Sequence, residues 1–451
     1  MRKLLGYLTF LIFLASCGNS GNGELVGVQK RSKFYQPDPY GMVYVPMGSY
    51  TMGIGSEDVN ASHLQQPKTV SVGAFYMDET EITNNEYRQF VHWVRDSIAR
   101  RLLGDVKPEL YLIEENEKTG EVYDPPYLNW KEKIVWNGEE ERLALEDLFL
   151  SEDERFFRKK QIDTRKLNYS YYWIDLTDAA RKDYSQKGDS KKGMFGNRPQ
   201  SNESRSQYVF SDEINVYPDT LSWIHDYSYS YNEPMTKMYF WHPAYDNYPV
   251  VGVSWKQARA FSIWRTQLLS SFLSSRSEAV VHEFRLPSEA EWEWASRGGY
   301  EGNPYPWGGP YTRNSKGCFL ANFKPMRGDY VDDGGLRTVI VGHYPANDFG
   351  LYDMAGNVAE WTNDAFDEAG NTYTWDLNPI YNYEANDDDP ITFKRKVVRG
   401  GSWKDVAYYL RVDTRSYEYQ DTAKCYVGFR CVQDFMGRQK GDNPSKASRV
   451  Y

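Results

Sequence analysis

The sequence predicts an α+β domain interrupted by one long insertion, and three observations carry that expectation. Short apolar segments punctuated by glycine and proline lie toward both ends of the chain, as strands and tight turns require. Three amphipathic runs open on the same capping signature. Between the first and the second of them the texture changes to a charged, tyrosine-rich stretch.

In chain order, Met42 to Gly53 alternates apolar residues around Pro46-Met47-Gly48 and predicts a β-hairpin. Thr69 to Met77 predicts one further strand. Thr83 with Glu86, Ser254 with Gln257 and Ser288 with Glu291 fit the S/T-x-x-E/Q box, in which two side chains satisfy two orphan backbone donors. After Thr83, Tyr87, Phe90, Val91, Val94 and Ile98 share one helical face; after Ser254, Ala258, Phe261 and Leu268 do likewise. The third helix closes at Gly298-Gly299, where glycine can turn left-handed. The insertion, about 101–248, contains a helix-like Leu145 to Lys160, a strand-like Tyr227 to Tyr231 and a polar loop from Ser185 to Ser206. It is either surface decoration or a partner-binding face, which its tyrosines suit. Val397 to Trp403 and Tyr426 to Val432 read as strands, and 437–451 as a polar, basic, disordered tail.

The 451 residues, 40% of them hydrophobic and 16% aromatic, can bury a substantial core. A net charge of −10 argues against nucleic acid as a partner. No phosphate-binding GxxxxGK[ST] or strand-linked GxGxxG occurs. Arg2 and Lys3 precede an apolar run from Leu4 to Ala15, too short to span a bilayer. It ends in Leu14-Ala15-Ser16-Cys17, which resembles the lipobox of bacterial lipoproteins. That resemblance implies a signal peptide over 1–16, lipidation of Cys17 and, over 17–40, a tether that includes Gly18 to Gly23. The expected address is the periplasmic face of an outer membrane. Of the four cysteines, Cys318, Cys425 and Cys431 remain, and one disulfide plus one buried thiol is expected.

Asn347 to Asp364 is the organising stretch. Phe349, Leu351, Tyr352, Met354, Val358 and Trp361 favour burial, Gly350 and Gly356 permit sharp turns, and Asp353, Glu360 and Asp364 place carboxylates among them. Either the carboxylates are hydrogen-bonded or solvated in a glycine-rich turn, or a hard cation such as Ca²⁺ gathers side-chain and main-chain oxygens.

Eight ordered motifs then resemble the formylglycine-generating-enzyme, or sulfatase-modifying-factor, family. They are Met42 to Pro46 with Met52-Gly53, Glu81 to Tyr87, Pro249 to Trp255, Arg285 to Glu293, Trp307-Gly308, Asn347 to Trp361, Arg399 to Trp403 and Gly428 to Arg430. The resemblance implies a C-type-lectin-like α+β domain over 41–436 steadied by calcium. It implies one calcium site at Asp353, Glu360 and the carbonyls of Gly356 and Val358. A second would fall at Asn322, Asp333 and the carbonyls of Phe323 and Gly335. Active members hold copper on two cysteines after the R-G-G-S-W motif, thiolates suiting Cu(I). Aligned on Arg415-Ser416, those positions are Ala407 and Val412, so no copper and no catalysis are expected. The alternatives are a copper-dependent oxidase using Cys425 and Cys431, or a lectin-like ligand-binding lipoprotein. The six histidines (His63, His92, His225, His242, His282, His343) show no metal-ligand spacing.

Lipobox, insertion and lost cysteines together resemble a narrower group, the gliding-motility and type IX secretion lipoproteins of the GldK/PorK type. That resemblance implies a non-enzymatic ring component beneath the outer membrane, self-associated and bound to a periplasmic partner of the GldN/PorN type.

Overall fold

Thr83, Ser254 and Ser288 each accept from the backbone N–H three residues on, and the glutamate or glutamine there reaches back to the cap. The three helices they open are α1 (Asn84–Gly104), α2 (Trp255–Ser275) and α3 (Glu289–Arg297), and α3 closes on a left-handed Gly298. In this computed structural model the described residues are 34–53, 67–116, 120–174, 208–226, 235, 238–325, 329, 331 and 335–437. Cys17 with its lipobox and tether, His63, Ser185 to Ser206, Tyr227 to Tyr231, Asp333 and residues 438–451 lie outside them. Among the described residues no helix is long and apolar enough to cross a membrane.

The strands are β1 (Met42–Val45), β2 (Gly48–Met52), β3 (Lys68–Val72), β4 (Phe75–Asp78), β5 (Leu112–Glu115), β6 (Val122–Leu128), β7 (Asn168–Ile174), β8 (Val209–Asn215), β9 (Phe284–Arg285), β10 (Ala359–Ala365), β11 (Arg395–Arg399), β12 (Ser416–Tyr419), β13 (Val427–Gly428) and β14 (Val432–Asp434). One four-stranded sheet runs β1-β4-β14-β9 and a second β12-β11-β10-β13, with β10 and β13 parallel. The pairs β2-β3, β5-β6 and β7-β8 complete the set.

The expected hairpin over Met42 to Gly53 does not form. β1 pairs with β4 and β2 with β3, so the chain changes sheets at Pro46. The indole of Trp294 explains the switch: its Nε1 donates to the Pro46 carbonyl, and a side chain at Gly48 would meet its ring at 2.3 Å. Thr69 to Met77 is likewise two strands, broken where the Gly73 N–H donates to Asn378 Oδ1. Leu145 to Lys160 is not a helix but a series of 3₁₀ turns, the α-helical turn being Glu139–Ala144. Phe157 and Arg158 adopt left-handed φ of 50° and 54°, and Arg155 and Lys160 both fold back onto Glu146, closing a loop instead of extending a rod. No disulfide forms among the described residues; Cys318 is an exposed thiol, and Cys425 and Cys431 are buried ones.

Tyr87 of α1 stacks on Phe261 of α2 at 5.6 Å, and Phe90 meets Trp264 at 5.2 Å; Phe429 and Trp361 extend this core. The insertion contributes Leu145, Leu148, Leu167, Tyr169, Tyr171 and Val216 to the same core. Burying such side chains stabilises by about 1.5–3 kcal/mol each, so the insertion is part of the domain's interior and not mere decoration.

Candidate functional site

The motifs converge on two buried ionic centres. In the first, β10 carries Glu360 inward, and Arg430 donates from Nη2 to its Oε1 (2.5 Å) and from Nε to its Oε2 (2.8 Å). Trp292 Nε1 also donates to Oε2, at 2.7 Å. Arg430 further donates to the carbonyls of Asp78 and Tyr352, so one guanidinium ties three distant segments together. Glu81 accepts from Asn357 Nδ2 and from the Val358 N–H. Asp353, at φ 54°, accepts from the Gly342 N–H through Oδ2, while its buried Oδ1 has no hydrogen-bond partner among the described residues. Burial, then the charges of Asp353 and Glu360, push Glu81 well above the ordinary carboxylate range. Burial pushes Asp353 up to about 6. Three carboxylates thus face one guanidinium, an excess of negative charge that a buried site resists.

That excess, with the orphaned Asp353 oxygen, fits a hard cation. Asp353 and the turn carrying Gly356 and Val358 have the right chemistry to hold one. Glu360, expected as a further ligand, has both oxygens hydrogen-bonded, by Arg430 and Trp292. Gly356 has φ 83°, and a Cβ there would sit 2.4 Å from the Asn322 carbonyl, so both close approach and handedness demand glycine. At the expected second site Asn322 lies against Gly335, whose Cβ would meet its Oδ1 at 2.6 Å. Asn322 Nδ2 donates to the Arg337 carbonyl at 2.6 Å. Phe323 packs edge-on against Phe319, and Asp333 lies outside the described residues. Among the described residues no three His, Cys, Asp or Glu side chains converge tightly enough to hold a metal.

The second centre joins α3 to the R-G-G-S-W motif. Arg399 donates to Glu293 at 2.5 Å and to the carbonyls of Val412 and Thr414. Arg297 shares Glu293, and Arg415 grips Glu289 through two nitrogens. These charges are paired and hydrogen-bonded, as burial requires.

Beside this centre stand the positions of the family's copper cysteines. Ala407 opens a 3₁₀ turn, and its carbonyl accepts from Tyr305. Val412 is fully buried with its N–H on the Pro304 carbonyl. Neither side chain can ligate. The remaining thiols sit apart in different apolar clusters. Cys425 packs with Trp223 and Trp403, and burial with the neighbouring Asp226 pushes its thiol far up. Cys431 lies 3.4 Å from Ser262 Oγ, and burial pushes it up to about 12. Burial thus disfavours, at both, the thiolate form that Cu(I) prefers.

Trp403 itself is covered. Trp223, from the insertion, stacks on it at 5.9 Å and 21°, and the Arg337 guanidinium lies within 5.8 Å of both rings. The short helix Ser222–Asp226 is held there by the Cys425 N–H on Asp226 and by Lys424. Sequence reasoning missed Glu81, Asn357, Arg430 and Trp223. Glu81 follows Asp78-Glu79-Thr80, so its local sequence gave no sign of burial; the partner identities are set by contacts from 70 to 352 residues apart.

Residues 29–435 match the sulfatase-modifying factor enzyme 1-like domain family. The chain belongs to that family. Over 201 residues it is 35% identical to the inactive C-alpha-formylglycine-generating enzyme 2 of Bos taurus, covering 43% of this chain and 53% of that protein. It is 24% identical to the formylglycine-generating enzyme of the same organism over 406 residues, 88% of this chain and 76% of that one. The chain spans about half the length of the first of these relatives. Among solved structures, PvdO from Pseudomonas aeruginosa superposes with a TM-score of 0.43 at 16% identity, covering 87% of this chain and 94% of that one. The sulfatase-modifying factor domain of this chain is α+β, with mixed helices and sheets.

Proposed function

We propose that this sulfatase-modifying factor domain is non-catalytic and serves as a structural periplasmic ring component of type IX secretion and gliding machinery. In this reading lipidated Cys17 anchors it to the outer membrane, copies of the chain associate into a ring, and a GldN/PorN-type protein is the partner. One observation carries the loss of catalysis: Ala407 and Val412 stand in the copper positions, and no cysteine occurs from Arg399 to Lys424. A relative named as inactive supports the same reading. Calcium is structural here, held by Asp353 with the carbonyls of Gly356 and Val358.

Gentle solubilisation of native membranes should yield the chain in a large assembly with a second periplasmic protein, and Cys17→Ser should release it from the membrane. A monomer from native membranes sinks the ring. Oxygen uptake on a cysteine-containing peptide after copper loading sinks the loss of catalysis. Calcium should raise the melting temperature of the wild type and leave Asp353→Asn unmoved; equal shifts in both remove Asp353 from the site.

A further inference from the structure

A cavity of about 500 Å³ opens between α1 and the insertion, on a different set of residues from the ionic centres. Arg88, His92 and Arg95 line one wall from successive turns of a single α1 face. Ile162, Leu167, Tyr217, Phe240 and Trp241 supply a largely apolar part of the lining. No carboxylate lines it, in a chain whose net charge is −10.

The guanidiniums are fixed in place. Arg88 donates to the Trp241 carbonyl at 2.9 Å and pairs with Asp246, and Arg95 pairs with Asp96 at 2.7 Å while lying over the Trp136 ring. Burial, then the charge of Arg95, lowers the pKa of His92; Asp96 opposes the shift and Arg88 adds to it. Gln161 and Thr164, also lining the cavity, make no side-chain hydrogen bond within the described chain, and neither does His92. Two held guanidiniums, an imidazole and unengaged amide and hydroxyl groups beside an aromatic surface, with no carboxylate in the lining itself, match small-ligand recognition.

We propose that this cavity binds a carboxylate carried on an aromatic or branched apolar body, with the carboxylate toward Arg88, His92 and Arg95 and the body against Tyr217, Phe240 and Trp241. A free small acid and the C-terminus of an apolar peptide share this chemistry. The proposal does not depend on the ring assignment.

Calorimetric titration of the full chain with N-acetyl-L-phenylalanine, its amide, and a pentapeptide ending in phenylalanine tests it. The acid should saturate with a dissociation constant in the roughly millimolar range set by so small a ligand. The amide should bind at least about tenfold more weakly. Arg95→Gln and Trp241→Ala should each weaken the acid by about tenfold with unchanged melting temperature, since both side chains are partly exposed. Tighter binding of the pentapeptide assigns the site to peptide termini, and equal binding to small acids; either upholds the carboxylate chemistry. Equal affinity for acid and amide, no saturable binding of the acid, or folded variants that bind like the wild type would overturn it.

Discussion

The motif-bearing scaffold and the insertion use charge in opposite ways. In the scaffold, Glu293, Glu360, Arg399 and Arg430 are buried; each carboxylate is shared between donors, and both arginines also donate to main-chain carbonyls of other segments. In the insertion, Lys160 pairs with Glu146, Arg165 with Glu154 and Lys107 with Glu140 at the surface, Asp163 being the buried exception. Its apolar residues divide too: Leu145 and Tyr169 are buried, while Phe156 and Phe157 are 70% and 81% exposed. The difference teaches that the residues which look most like chemistry in the sequence hold the scaffold together. The residues that look like filler are split between core and surface.

The largest expected effect comes from breaking a buried pair. Arg430→Gln leaves Glu360 buried and unmatched, and should lower stability by about 3–5 kcal/mol in urea unfolding. A loss below about 1 kcal/mol would mean that the scaffold charges are no more structural than surface ones. Next, Trp223→Ala removes an insertion side chain that is 2% exposed and should cost roughly 3 kcal/mol, while raising the fluorescence quenching of Trp403 by added iodide. If neither changes, the insertion does not share the scaffold's interior.

A smaller effect is pH-dependent. Lys396 is fully buried, and burial lowers its ammonium to about 7; its Nζ donates to the Tyr383 carbonyl. The native state therefore prefers the neutral amine, so this contribution is fully present above the amine's ordinary value and is lost as pH falls through about 7. From about pH 9 to about pH 6, the wild type should lose stability relative to Lys396→Met by roughly 1 kcal/mol or more. Parallel curves for the two proteins would contradict the burial of that charge. Smallest of all, Lys160→Gln should leave the urea midpoint nearly unchanged, its pair with Glu146 being open to water. A clear shift there would erase the contrast between the regions.

What could be read from the sequence follows from range. The capping boxes at Thr83, Ser254 and Ser288 are local rules, satisfied within one turn, and all three helices form where they predict. The hairpin at Met42 to Gly53 failed because alternation says that strands exist but not which partners they take; Trp294, some 250 residues on, decided that. The β7-β8 ribbon went unread because its two strands are more than thirty residues apart in the sequence, beyond the reach of any short hairpin signature. At the candidate site, Asp353 stood out as a carboxylate among apolar neighbours, and it is buried with an unpartnered oxygen. Glu360 stood out for the same reason, yet its counter-charge proved to be Arg430, seventy residues away. Sequence flags a buried charge; only the fold says what neutralises it.

The Trp223–Trp403 stack has a practical consequence for anyone wishing to trim this chain to a minimal domain. Residues 105–248 look removable, because the motifs lie on either side of them. Excising them would strip Trp223 from Trp403, and Leu167, Tyr169 and Val216 from the packing around Phe90 and Phe261, baring a contiguous greasy face. The shortened chain should precipitate or cling to other proteins, so the two regions are best regarded as one cooperative folding unit.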